Sequence, residues 1–131
     1  MAMLAAAVGR PYHVGWGGLA GYQHAAEVAD AFIAAARACE DGRGSDTYNL
    51  PVSLCSMDGV VEAIQEAVGG TPRITYEPTQ LPFPADFDGS ALERRLGHVG
   101  LMPLRDGVRE TIATFRAAAA EGRLDAHRLL G

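Results

Sequence analysis

All eleven basic residues of this sequence are arginines. Without lysine the chain has no amine for a Schiff base, no lysine general acid and no lysine to reach a bound phosphate. The histidines, His13, His24, His98 and His127, show no i, i+4 spacing, so a helical metal site is not expected. Cys39 and Cys55 lack CxxC spacing and read as reduced, structural thiols. Glu27 falls in the first turn of a predicted helix, where a carboxylate favours the helix dipole. That role is simpler than catalysis. Asp86 and Asp88 precede another helix and read as its starting residues, not as a catalytic pair.

Gly15-Trp-Gly-Gly18-Leu-Ala-Gly21 has a Gly-x-x-Gly-x-x-Gly spacing. A dinucleotide site on such a loop needs a buried strand before it. It also needs a helix opening at the last glycines, so that amides and helix dipole meet the pyrophosphate. Here the preceding strand is only Tyr12-His-Val14 and the next helix is predicted from Ala26. The simpler reading is a glycine-rich loop between two short strands.

The elements that must position these groups belong to one small domain. The chain has 131 residues, 48% of them apolar and 21% charged, the balance of a globular fold. A net charge of -5 argues against nucleic-acid or anionic-membrane partners. No apolar run reaches the ~18 residues of a membrane span. Met1 to Arg10 lacks a basic region and reads as part of the fold, in a protein expected to be cytoplasmic.

Strands are predicted at Pro11–Gly15, Leu19–His24, Thr47–Leu50 and Arg73–Glu77. A helix over Ala26–Cys39 places Val28, Phe32, Ala35 or Ala36, and Cys39 on one apolar face, and Glu40–Ser45 closes it. Ser56 is the predicted N-cap of a helix from Met57 to Val68, ended by Gly69-Gly70. Pro78 to Pro84 is an ordered loop. Ser90-Ala-Leu-Glu93 fits a capping box for a short helix stopping at Gly97. Pro103 precedes a last helix with Val108, Ile112 and Phe115 as its buried stripe. The expected fold is a small mixed α/β domain over 1–116 with three to four short strands and about four helices. The tail over 117–131 either extends the last helix or frays. So thin a sheet leaves an edge that wants a partner.

Tyr22-Gln-His-Ala-Ala-Glu-Val-Ala-Asp-Ala-Phe32, Thr47-Tyr-Asn-Leu50, the helix from Ser56 to Gly69, and Leu96-Gly97 followed by Pro103-Leu104 and Asp106-Gly107-Val108 resemble, in that order, segments of the extended short-chain dehydrogenases. These are the NAD-dependent epimerase/dehydratase enzymes. The resemblance spans Met3 to Arg116 and points to their C-terminal, substrate-binding region without the dinucleotide-binding half. The chain departs from the family pattern at Glu27, usually Asp, and at Ala20, often Arg. The family's chemistry rests on a Tyr-x-x-x-Lys pair, and neither Tyr12, Tyr22, Tyr48 nor Tyr76 has a lysine four residues on.

The resemblance implies a substrate-binding half that is not catalytic alone. It would act with a dinucleotide-binding partner on a nucleotide sugar or another hydroxy or keto substrate. NAD or NADP would belong to the complete enzyme, with no cofactor or metal held by this chain. Tyr22, His24, Asn49 and Phe83 are the candidate substrate-binding residues. His24 could instead be a strand-end histidine bonded to backbone, and Asn49 a turn cap before Pro51. Two alternatives stand beside this reading: a stand-alone homo-oligomeric module or decayed enzyme, and weak dinucleotide binding through Gly15, Gly18 and Gly21.

Overall fold

A computed structural model describes residues 1–38, 46–97 and 100–130. Cys39, the closing loop over 40–45, His98 and the side chain of His127 lie outside what is described.

The core is built by three helices. α1 (Ala2–Ala7) buries Leu4, Ala5 and Ala6. α3 (Met57–Val68) buries Met57, Val60, Ala63 and Ile64. α5 (Leu104–Ala120) buries Gly107, Val108, Ile112 and Ala118. Spacings of three and four residues put each set on one helix face. Leu4, Ile64, Val108 and Ile112 are the largest side chains wholly shielded from solvent.

α3 was legible from its ends. Ser56 Oγ accepts from the Gly59 amide at 3.2 Å, and Gly69 closes the helix in the left-handed conformation at φ 74°. α5 continues past residue 116 to Ala120, and after a turn α6 (Ala126–Leu130) packs on α1.

The strands form two separate pairs. β1 (Tyr12–Val14) and β4 (Ile74–Tyr76) run parallel, with His13 opposite Thr75. β2 (Leu19–Tyr22) and β3 (Ser53–Ser56) run antiparallel, with Gly21 opposite Leu54. A bridge between Gly17 and Gln80 prolongs the first pairing. The expected small mixed α/β fold is the fold found, with six helices and four short strands among the described residues.

Three local expectations need correction, and a fourth is made more specific. Thr47–Leu50 is not a strand; the strand comes after Pro51, at Ser53–Ser56. Strand propensity at 47–50 has no ladder to join, because β2 pairs with β3. α2 (Ala25–Ala38) does not bury the predicted face: Ala31 is its one buried residue, while Phe32 is 70% exposed. α2 packs on α4 (Ser90–Leu96) and otherwise turns an apolar face outward. The capping box at Ser90 is displaced by one residue: Gly89 is the N-cap, and Asp88 Oδ1 accepts from the Ser90 amide at 2.9 Å. That bond holds the Asp88 carboxyl below its ordinary range. Finally, Ala2–Ala7, read only as part of the fold, is a helix central to the core.

Candidate functional site

β2 ends at Tyr22 and α2 begins at Ala25, so the chain turns sharply through Gln23 and His24. Three contacts fix this turn. Gln23 Nε2 donates to the Pro51 carbonyl at 2.6 Å. The His24 carbonyl accepts from the Val28 amide at 3.2 Å. Glu27 Oε2 accepts from the His24 amide at 3.0 Å, the return contact of a capping box. The other Glu27 oxygen accepts from the Met102 amide. One carboxylate therefore starts α2 and ties it to the segment leading into α5. The helix-start role read from sequence is present as a capping contact, and the tie to Met102 is an addition that no local signal revealed.

Because hydrogen bonds to a charged group contribute about 1.5–3 kcal/mol, Glu27→Ala is expected to lower unfolding stability by about 2 kcal/mol. Urea denaturation of the two proteins measures it. A change under a few tenths of a kcal/mol would show the tie to be idle.

Pinned in this way, Tyr22 and His24 line one cleft with Met3 of α1, Ser53 of β3, and Gly107 and Thr111 of α5. Gly107 packs beside the imidazole: a Cβ there would lie in ordinary contact, 3.4 Å from His24 Cδ2. The cleft measures about 70 Å³. Its distinguishing feature is two buried polar atoms without a hydrogen-bond partner, the Tyr22 hydroxyl and His24 Nδ1. Such groups are rare and costly, at about 1–3 kcal/mol each, and ask for a physical explanation.

Burial pushes the Tyr22 phenol up to about 12, and the nearby Cys55 thiol adds to the effect. Tyr22 is therefore a neutral phenol at physiological pH, able to donate or accept a hydrogen bond but unsuited to act as a base. Between pH 10 and about 12 the folded chain keeps a proton that the unfolded chain releases. Stability must then fall as pH rises through that window. Tyr22→Phe is expected to reduce this fall, leaving the part that comes from Cys55 and Tyr76, whose groups are also pushed up. At neutral pH it should raise stability by about 1 kcal/mol, since it deletes an unsatisfied hydroxyl. Denaturation at pH 7 and across the alkaline window measures both. A loss of stability at pH 7 would mean that the hydroxyl is satisfied in the folded chain.

The other two candidate residues lie elsewhere. Asn49 Nδ2 donates to the Asp88 carbonyl at 3.5 Å, linking the segment before Pro51 to the start of α4. Phe83 sits in the proline-rich loop and is 55% exposed. Neither lines the cleft of Tyr22 and His24. A larger cleft of about 510 Å³ runs between α2, the end of α4 and residues 100–102, with Glu27 and Asp30 on its wall. Its carboxylates disfavour an anionic ligand.

The glycine-rich stretch does not run from a strand directly into a helix. Gly21 lies inside β2, paired with Leu54, and α2 opens only at Ala25. Gly17 and Gly18 serve the close approach of the segment after β4. A Cβ on Gly17 would fall 2.2 Å from the Glu77 carbonyl oxygen, and Gly18 takes φ +74° against Gln80.

One polar chain escaped sequence reading because strand register is not written locally. His13 Nδ1 lies 2.9 Å from Thr75 Oγ1, and His13 Nε2 lies 3.1 Å from Glu77 Oε1. The order hydroxyl–imidazole–carboxylate invites comparison with a nucleophile relay. His13 and Glu77 are each 53% exposed, however, and an activated hydroxyl needs a water-excluded setting. These contacts are surface cross-strand pairing. Among the described residues no cluster of His, Cys, Asp and Glu could hold a metal ion. No described helix is long and apolar enough to cross a membrane.

No family model matches the sequence, and no curated protein matches it. Solved structures do. A UDP-glucose 4-epimerase from Stenotrophomonas maltophila, with bound NAD and formylated UDP-arabinopyranose, shares 25% identity and a TM-score of 0.75 over 91% of this chain and 39% of its own. MoeE5 in complex with UDP-glucose and NAD gives 23% and 0.75 over 90% and 40%. A partial-consensus L-threonine 3-dehydrogenase gives 23% and 0.72 over 88% and 40%. The chain therefore has the fold of a portion of the epimerase/dehydratase enzymes and spans about two fifths of the length of these structures. The sequence resemblance and the three-dimensional likeness agree.

Proposed function

We propose that this chain supplies the substrate-binding portion of an NAD(P)-linked epimerase, dehydratase or reductase acting on a nucleotide sugar or a related hydroxy or keto compound. A dinucleotide-binding unit, continuous with this sequence or separate from it, completes the site. The observation that carries the reading is the Tyr22–His24 cleft. Tyr22 and His24 each carry a buried polar atom without a partner, and a turn of either side chain into the cleft would present that atom to a hydroxyl or carbonyl group of a ligand. At about 70 Å³ the cleft has room for a small polar group only, well below the ~300–1,000 Å³ of a whole ligand pocket. A second surface has to enclose the rest of the substrate.

The outward face of α2 offers a place for that surface. Ala25, Ala26, Ala29, Phe32, Ile33 and Ala36 are all exposed on it. Covering Phe32 alone would contribute about 1.5–3 kcal/mol. The neighbouring segment 46–50 joins no strand ladder, which leaves its backbone groups without ladder partners. NAD or NADP would sit on the completing unit, since Gly15 to Gly21 lack the helix start that a pyrophosphate needs. The tyrosine–lysine acid/base pair would also come from there, because this sequence contains no lysine.

The test is calorimetric titration of UDP-glucose into the chain and into Tyr22→Phe. Loss of one hydrogen bond of about 1 kcal/mol predicts roughly fivefold weaker binding in the variant. Equal affinities would remove Tyr22 from the site. Sedimentation at micromolar concentration separates the competing use of α2. A dimer dissolved by Phe32→Asp would assign that face to a second copy of the chain.

A further inference from the structure

Away from the Tyr22–His24 cleft, a second cleft of about 300 Å³ opens between the end of α1, the segment following α3 and the last turns of α5. Three arginines line it: Arg10, Arg73 and Arg116, with no acidic residue on its wall. In a chain of net charge -5, such a local excess of positive charge runs against the average. Among the described residues the arginine ion pairs are those of Arg105, Arg109 and Arg123, so no described carboxylate lies within ion-pair distance of the guanidinium groups of Arg10, Arg73 and Arg116.

Two of them are held in place by the cleft walls. Arg73 donates to the Gly9 carbonyl at 3.2 Å, and Arg116 donates to the Val68 carbonyl at 3.4 Å. Each bond uses one of five guanidinium donors, which leaves most of the hydrogen-bonding capacity free. The carbonyl ends of α1 and α3 add about half a negative charge each, less than three arginines supply. The turns on either side leave space: a Cβ on Gly9 or Gly70 would meet nothing within 4 Å.

We infer that this arginine cleft is a binding site for a phosphoryl oxyanion, either free phosphate or the phosphate end of a larger ligand. Guanidinium groups match the oxygens of phosphate in a two-pronged geometry, and with no lysine in the chain that recognition falls to arginine. The inference is independent of the proposed enzyme role, because it uses none of the residues around Tyr22 and His24.

The test titrates inorganic phosphate, pyrophosphate and UDP into the full chain at low and high salt, following the arginine Nε–H signals by NMR. Saturable binding, weakened by salt and led by the Arg10, Arg73 and Arg116 signals, is expected. Arg73→Gln and Arg116→Gln should each weaken it at least tenfold, with circular dichroism confirming that both variants fold. Arg109→Gln, whose side chain pairs with Asp106, should leave it unchanged. UDP binding tighter than pyrophosphate would name a nucleotide as the source of the phosphoryl group, and equal affinities a free phosphate; both uphold the site. Absence of saturable binding, or an equal loss in Arg109→Gln, would overturn it.

Discussion

Ile64→Ala is expected to destabilise the chain by about 2–5 kcal/mol, more than any other single truncation considered. Ile64 is wholly buried where α3 meets α1 and α5, and Val60, Val108 and Ile112 share its cluster. The strands cannot compensate, because they come as two pairs of three or four residues each. A small domain has only about 5–15 kcal/mol of stability in total, so this one side chain carries a large share. The measurement is the denaturation midpoint together with its slope. A loss below about 1 kcal/mol would mean that the three-helix contact is not what holds the domain.

Gly17→Ala is expected to cost about 3 kcal/mol, the upper end for overpacking. The added Cβ would sit 2.2 Å from the Glu77 carbonyl oxygen. This is a backbone atom fixed by the Glu77 amide's bond to the Val14 carbonyl at 2.9 Å, so it cannot rotate away as a side chain would. Relief has to come from separating the strands, and with them the Gly17 amide bond to the Thr79 carbonyl at 2.8 Å. Chemical denaturation measures it. A loss below about 1 kcal/mol would mean that the strands give way to the added Cβ almost without cost.

What could be read from the sequence follows from how local each signal is. α3 announced itself because its cap Ser56 and its stop Gly69 act within one turn. The strands at Tyr12, Leu19 and Ile74 were marked by alternation and by flanking glycine or proline. Thr47–Leu50 has strand propensity but no partner, because propensity is local while pairing is not: β2 pairs with Ser53–Ser56 instead. Phe32 was placed in the core because helical periodicity gives a face but not the neighbour that covers it. α1 escaped because six mostly small apolar residues form a helix chiefly through burial against α3 and α5. In the candidate site, Tyr22 and His24 stand two residues apart and came to light together through the motif they share. Gly107 and Thr111, more than eighty residues on, joined them only through the packing of α5.

The most direct test of a substrate-side role is a pair of NMR titrations of the purified chain, one with UDP-glucose and one with NAD. UDP-glucose should shift the amide signals of Tyr22, His24, Gly107 and Thr111 saturably, while NAD leaves Gly15, Gly17, Gly18 and Gly21 unmoved. Saturable NAD shifts at those glycines, with the Tyr22–His24 cleft silent to UDP-glucose, would contradict it.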